Sequence, residues 1–173
     1  MTSSNEPNLE TILYPKGTEF DKRNQMSLLL EEYKIFVGTS EKLVARRQTV
    51  NTFFLSVNAL LLSAAGVIAK EVIMMRITMI GVVAIGLAGI LLCMAWHRLV
   101  HSYRQLNAGK FVVIHLLEQY LPAALFKTEW KALGEGKDKT KYTPFTKTEV
   151  TIPIVFIVLY GIAILGSLIY LLN

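Results

Sequence analysis

A chain of 173 residues, 53% of them hydrophobic and with a formal charge of +5, has room for one compact unit or for a membrane domain with a modest polar part. Its Lys and Arg residues lie beside apolar runs instead of forming a separate basic domain, which argues against a nucleic-acid partner and for anionic lipid. The single cysteine, Cys93, excludes an intrachain disulfide and leaves redox chemistry unsupported.

Met1 to Phe20 carries Ser3, Ser4, Asn5, Pro7, Pro15 and Gly17 with little periodicity and reads as a loosely docked arm (residues 1–20). From Asp21 to Val50 the pattern becomes that of a helix. Met26, Leu29, Tyr33, Phe36, Leu43 and Val50 recur at the intervals of a seam, so one stripe is expected to be buried. Gly38, Thr39 and Ser40 interrupt good helix formers and allow a bend.

Residues 51–69, 77–95 and 150–172 contain no charged side chain, and each is long enough to cross a hydrocarbon core of roughly 30 Å as a helix. The polar start has no apolar run of the kind a cleavable signal needs, so the first span is expected to serve as its own insertion signal. Seven basic residues precede that span (Lys16, Lys22, Arg23, Lys34, Lys42, Arg46 and Arg47), and nine lie between His97 and Glu149. Only Lys70 and Arg76 occupy the turn between the first two spans, and none follows the third. This asymmetry predicts a multi-pass bacterial inner-membrane protein with a cytoplasmic N-terminus and a periplasmic or extracellular C-terminus. Arg46, Arg47, Arg98, Lys139, Lys141 and Lys147 stand where they are expected to meet lipid headgroups.

The shortness of Lys70 to Arg76 forces the first two spans into an antiparallel hairpin. After Ala95 no helix breaker appears before Pro122, and Trp96, Leu99, Tyr103, Leu106, Val113, Leu117 and Tyr120 continue a seam interrupted by Lys110. One helix from Ile77 to Leu121 would be roughly 65 Å long at 1.5 Å per residue. The fold expected is therefore an all-α membrane protein of three transmembrane helices, the first two extended into a long cytoplasmic hairpin. Its stalk pairs residues 21–50 with 96–121, and Tyr33, Phe36 and Leu43 meet Leu99, Tyr103 and Leu106. Residues 122–149 hold a short amphipathic helix, with Leu125, Phe126, Trp130 and Leu133 opposite Lys127, Glu129 and Lys131, followed by a basic loop. Pro153 is expected in the first turn of the third span, where its missing amide hydrogen costs little.

Within the first span Thr49, Thr52, Ser56, Ala59, Ser63 and Gly66 form a small, weakly polar stripe, with Asn51 and Asn58 seven apart on a neighbouring face. Small residues let helices approach closely in lipid, and an Asn amide there needs a partner. Tight packing explains this pattern; so does a water passage at the centre of an oligomer, lined by Asn51, Thr52, Ser56, Asn58 and Ser63. His97 and His101 have the spacing of a two-ligand metal site, but a third ligand is missing and cationic neighbours such as Arg98 and Arg104 fit a headgroup boundary. Gly134-Glu135-Gly136-Lys137 lacks the earlier glycine and the following hydroxyl of a phosphate loop. No serine-hydrolase or paired-carboxylate arrangement occurs, so neither enzyme activity nor a cofactor is expected.

Glu32-Tyr33-Lys34, then Ala45-Arg46-Arg47-Gln48-Thr49 and Asn51 to Leu55, resembles the entry to the first span in a family of small bacterial integral membrane proteins without an assigned reaction. Trp96 to Leu99, Ser102 to Asn107 and Lys110-Phe111 are similar to that family's post-span helix, and Leu121-Pro122, Glu129-Trp130 and Leu133 to Asp138 to its loop. The architecture is also similar to SLATT-type membrane effectors of phage defence, which implies disturbance of the membrane on activation. Self-association into a pore or bilayer-perturbing assembly is the expected function. The alternative is a non-conducting anchor or scaffold for a cytoplasmic protein partner.

Overall fold

The computed structural model describes residues 9–13, 25–69, 75–138, 140–142 and 146–172. Most of the N-terminal arm, the segment Asp21 to Asn24, most of the turn between the first two spans, and Lys139 lie outside the described residues. Among those described, all regular structure is helical: α1 (Leu9–Leu13), α2 (Met26–Ile68), α3 (Met75–Leu117), α4 (Leu125–Ala132) and α5 (Thr146–Leu172), with short 3-10 turns at Glu118–Tyr120 and Gly134–Gly136. Three helices are long and apolar enough to cross a membrane.

Helices α2 and α3 are each 43 residues long, about 65 Å at 1.5 Å per residue and so about twice a hydrocarbon core. Each is long enough to cross a membrane and continue beyond it as a stalk. No break occurs in α2 at Gly38, Thr39 or Ser40; a cross-helix contact described below engages this stretch. Helix α3 is the central element. It packs along both α2 and α5, whose backbones meet each other at few points.

The reason is visible in its buried face. Met79, Val82, Gly86, Gly89, Cys93, Trp96 and Val100 are buried, and Ile114 and Leu117 resume the same alternating spacing of three and four after the half-buried Tyr103, Asn107 and Lys110. That spacing keeps one seam facing its partners along the whole helix. In the membrane, glycines on this seam seat α5. A Cβ at Gly89 would lie 2.2 Å from the Tyr160 ring, and one at Gly86 would lie 2.7 Å from Ile164. Further up, Trp96 stacks on Phe54 of α2 at 5.8 Å and meets Phe156 of α5 at 6.4 Å, forming a core with Val100. A second core, remote from the first, joins Leu29 and Tyr33 of α2 to Ile114 and Leu117 of α3, with Phe111 and Phe126 packed against it.

Two expectations need correction here. Leu99 and Leu106 are 40% and 53% exposed, and the seam passes instead through Val100 and Asn107. Trp96 sets the phase, because its ring is held by both neighbouring helices, and the positions four and seven residues on are Val100 and Tyr103. Of the remaining stalk residues, Tyr33 and Leu43 are buried, and Phe36 and Tyr103 are half-buried. Pro153 is not in the first turn of its helix. Helix α5 begins at Thr146, so Pro153 lies two turns in and is fully buried, and the carbonyl of Glu149 loses its usual amide donor.

Helix α4 lies beside α3, and its end is turned sharply. Gly134, Glu135 and Gly136 all have positive φ (66°, 53° and 69°), and a Cβ at Gly136 would meet the Trp130 ring at 3.1 Å. Glycine at both flanking positions meets this need at little steric cost.

Candidate functional site

Polar side chains cross between the helices at four levels. The deepest lies within the spans, where Asn58, Cys93 and Tyr160 contribute one residue each from α2, α3 and α5. All three are essentially inaccessible. Asn58 Nδ2 donates to the Phe54 carbonyl at 2.8 Å, and its Oδ1 accepts from the Cys93 thiol at 3.1 Å and from the Tyr160 hydroxyl at 3.1 Å. The same hydroxyl also lies 3.1 Å from the Asn58 carbonyl. In hydrocarbon an unmet polar group costs several kcal/mol, so this knot fixes which faces of the three helices can meet.

Two helical turns along, Asn51 repeats the arrangement. Its Oδ1 accepts from Trp96 Nε1 at 2.9 Å, while its Nδ2 donates to Glu149 Oε1 at 3.1 Å. The other oxygen of Glu149 lies 3.5 Å from Arg47 Nε, with the two side chains only 12% and 15% exposed. A charge pair withdrawn this far from water is held by its partners, since a lone buried charge would be strongly destabilising.

The third level lies in the stalk. Ser40 donates to Asn107 at 3.3 Å, and Lys110 Nζ donates to Thr39 at 2.7 Å while standing 4.6 Å above the Phe36 ring. Lys110 thus interrupts the apolar seam without leaving it. At the fourth level Glu118, 2% exposed, accepts from the Tyr33 hydroxyl at 3.1 Å and from the first backbone amides of α4, Phe126 at 2.7 Å and Lys127 at 3.0 Å. The carboxylate caps α4 from a distance, where free amides and the helix dipole favour negative charge. Burial first, and then the hydrogen bond and charge of Glu118, push the Tyr33 hydroxyl up to about 12.

Asn51 and Asn58 therefore do not share an outward stripe with Thr52, Ser56 and Ser63. The asparagines point into the bundle because donors and acceptors from α3 and α5 are there, whereas the three hydroxyl residues are exposed on α2. Ser63 donates to the Ala59 carbonyl at 2.8 Å, leaving its lone pairs outward. Among the headgroup candidates, Arg46, Arg98 and Lys141 are exposed. Arg47 is not: Glu149 draws it inward. Lys139, and the side chain of Lys147, fall outside the described residues.

Sequence reasoning placed Trp96 on the seam without its bond to Asn51, and missed Cys93, Tyr160, Glu149 and Glu118 as partners. A usable signal existed for two of them: Tyr160 is a tyrosine in the middle of an uncharged span, and Glu149 is an acid at the edge of one. Beside the fourth level, α3 and α4 enclose a groove of about 600 Å³ lined by aromatic residues with Arg104, His115 and Glu129. Among the described residues no three His, Cys, Asp or Glu side chains converge as metal ligands would.

These features define a polytopic α-helical membrane protein, a three-span bundle pinned by polar contacts and continued as a helical stalk. The chain belongs to the octameric membrane protein family (8xMP), whose family model matches residues 30–169. All but the ends of the long helices and the arm falls inside that match. No curated protein and no solved structure matches the chain.

Proposed function

We propose that this protein is the subunit of a closed homo-octamer that surrounds a passage through the bilayer, with the stalks on the cytoplasmic side. The family's printed name supports eight copies, and the excess of basic residues before the first span and after the second supports the orientation. The observation that carries the passage is the outward face of α2. In the middle of the spans it exposes the hydroxyls of Ser56 and Ser63, with Thr52 nearer the edge, whereas α3 presents Ile80, Leu87 and Leu91 and α5 presents Val158, Ile162 and Leu165, its own exposed Thr151 standing at the span's edge.

Geometry makes a hollow centre a consequence of the number eight. Eight inner helices spaced about 10 Å apart lie on a circle of about 13 Å radius. Subtracting a helix radius of about 5 Å leaves an opening of about 16 Å. Eight copies cannot close that gap themselves, so it holds water or lipid. Hydroxyls with free lone pairs suit water; the branched apolar faces of α3 and α5 suit lipid.

Purified protein in liposomes loaded with dyes of graded size tests the reading. Dye release and stepwise currents are expected, both reduced by Ser56→Leu combined with Ser63→Leu. Octamers that retain every dye and carry no current would refute the passage.

A further inference from the structure

We infer that neighbouring subunits dock through their stalks, the Leu28–Ile35 ridge of one copy entering the α3/α4 groove of the next. This rests on the subunit reading above and names the surface that builds the assembly. Leu28 and Ile35 are seven residues apart on one face of α2, and they are 62% and 67% exposed in a part of the chain that lipid does not cover. The groove exposes Val112 and Trp130 beside Ala108 and Leu133, with Arg104 and the buried, unpartnered Nε2 of His115.

Height decides which surfaces can meet. Copies in one bilayer stand at one level, and a ring has its axis along the membrane normal, so contacts join residues of equal height. The height scale comes from cross-helix contacts within one subunit: Lys110 reaches Phe36 and Thr39, and Tyr33 reaches Glu118. Ile35 therefore stands level with Val112 to His115, the middle of the groove. Charge agrees with height. Glu32 flanks the ridge beside Glu31, which pairs with Lys34 at 2.9 Å, while Lys127 and Lys131 are exposed on α4 near the same height. Ridge and groove are different surfaces on different helices, so the contact is head-to-tail, the kind that generates a ring when the rotation closes.

The test uses the full chain in native-lipid nanodiscs. Cys93 is kept, because it is buried and out of reach of a membrane-impermeant crosslinker. Ile35→Cys combined with Val112→Cys is expected to give a covalent ladder up to eight copies, and a mixture of the two single variants is expected to stop at dimers. Ile35→Glu is expected to raise the dissociated fraction about tenfold or more at fixed protein-to-lipid ratio, with helicity unchanged because the residue is exposed. An octamer that Ile35→Glu leaves intact and the cysteine pair does not crosslink overturns the docking while sparing the subunit reading. Crosslinking in the Ile35→Cys single variant would show a two-fold contact and overturn it as well. A monomeric wild type overturns both.

Discussion

Gly89→Ala tests the deepest packing argument. The added methyl would sit 2.2, 2.4 and 2.6 Å from three atoms of the Tyr160 ring, where ordinary contact begins near 3.5 Å. The ring has little freedom to yield, since its hydroxyl is tied to Asn58, so α5 has to move away from α3 by about 1 Å or the Asn58 contacts have to break. Overpacking of this kind costs about 1–3 kcal/mol, and losing the hydroxyl contacts adds about 1 kcal/mol in a membrane setting. A total of about 2–4 kcal/mol shifts local opening by about thirty- to a thousandfold. Cys93 supplies the assay, because its thiol is sealed between the same helices. Its maleimide labelling rate in detergent or nanodiscs should rise by that factor in the variant. Tyr160→Leu combined with Gly89→Ala should recover much of the loss, a coupling that a double-mutant cycle reads directly. Equal labelling of wild type and Gly89→Ala would refute the close seating of Tyr160.

Asn58→Leu should destabilise the bundle by about 1–2 kcal/mol through loss of the Cys93 and Tyr160 contacts, and should raise Cys93 labelling more than Leu61→Ala does. Arg47→Ala should cost about 3–5 kcal/mol in an unfolding titration, because Glu149 is left buried without its charge partner; adding Glu149→Gln should return most of it. The raised pKa of Tyr33 means that its neutral form is favoured in the folded stalk. Its contribution is complete below the ordinary tyrosine value near 10 and is lost as pH rises through about 12. Tyrosinate absorbance should show a late-titrating contribution that Tyr33→Phe removes, and Glu118→Gln should bring its midpoint down.

The three spans, the hairpin and the two long helices were legible because they follow from exclusion: charge is kept out of the oil, and a short turn permits only antiparallel neighbours. The phase of the seam was not. Leu99 and Leu106 are better hydrophobes than Asn107 and Lys110, so a reading by apolarity selects the wrong row, and only the locking of Trp96 between Phe54 and Phe156 decides it. Likewise the need of Asn51 and Asn58 for partners could be read from composition, but not who the partners are. Glu149 and Tyr160 lie about a hundred residues further on, and no local pattern links them to α2.

The seven-residue spacing of the two asparagines then carries a consequence for function. Each joins all three spans, and together they sit two helical turns apart, so neither sliding nor rotating one helix satisfies both at another register. Between them lies the Phe54–Trp96–Phe156 stack, which resists shear in the same place. A subunit pinned in this way moves as one body, so in the octamer proposed above a passage would change width by motion between subunits. The stalk is the part of each subunit that projects furthest from that passage, about 30 Å beyond the membrane. In that proposed assembly a small tilt there would be a large lever on the spans, and the contacts between stalks would control the opening.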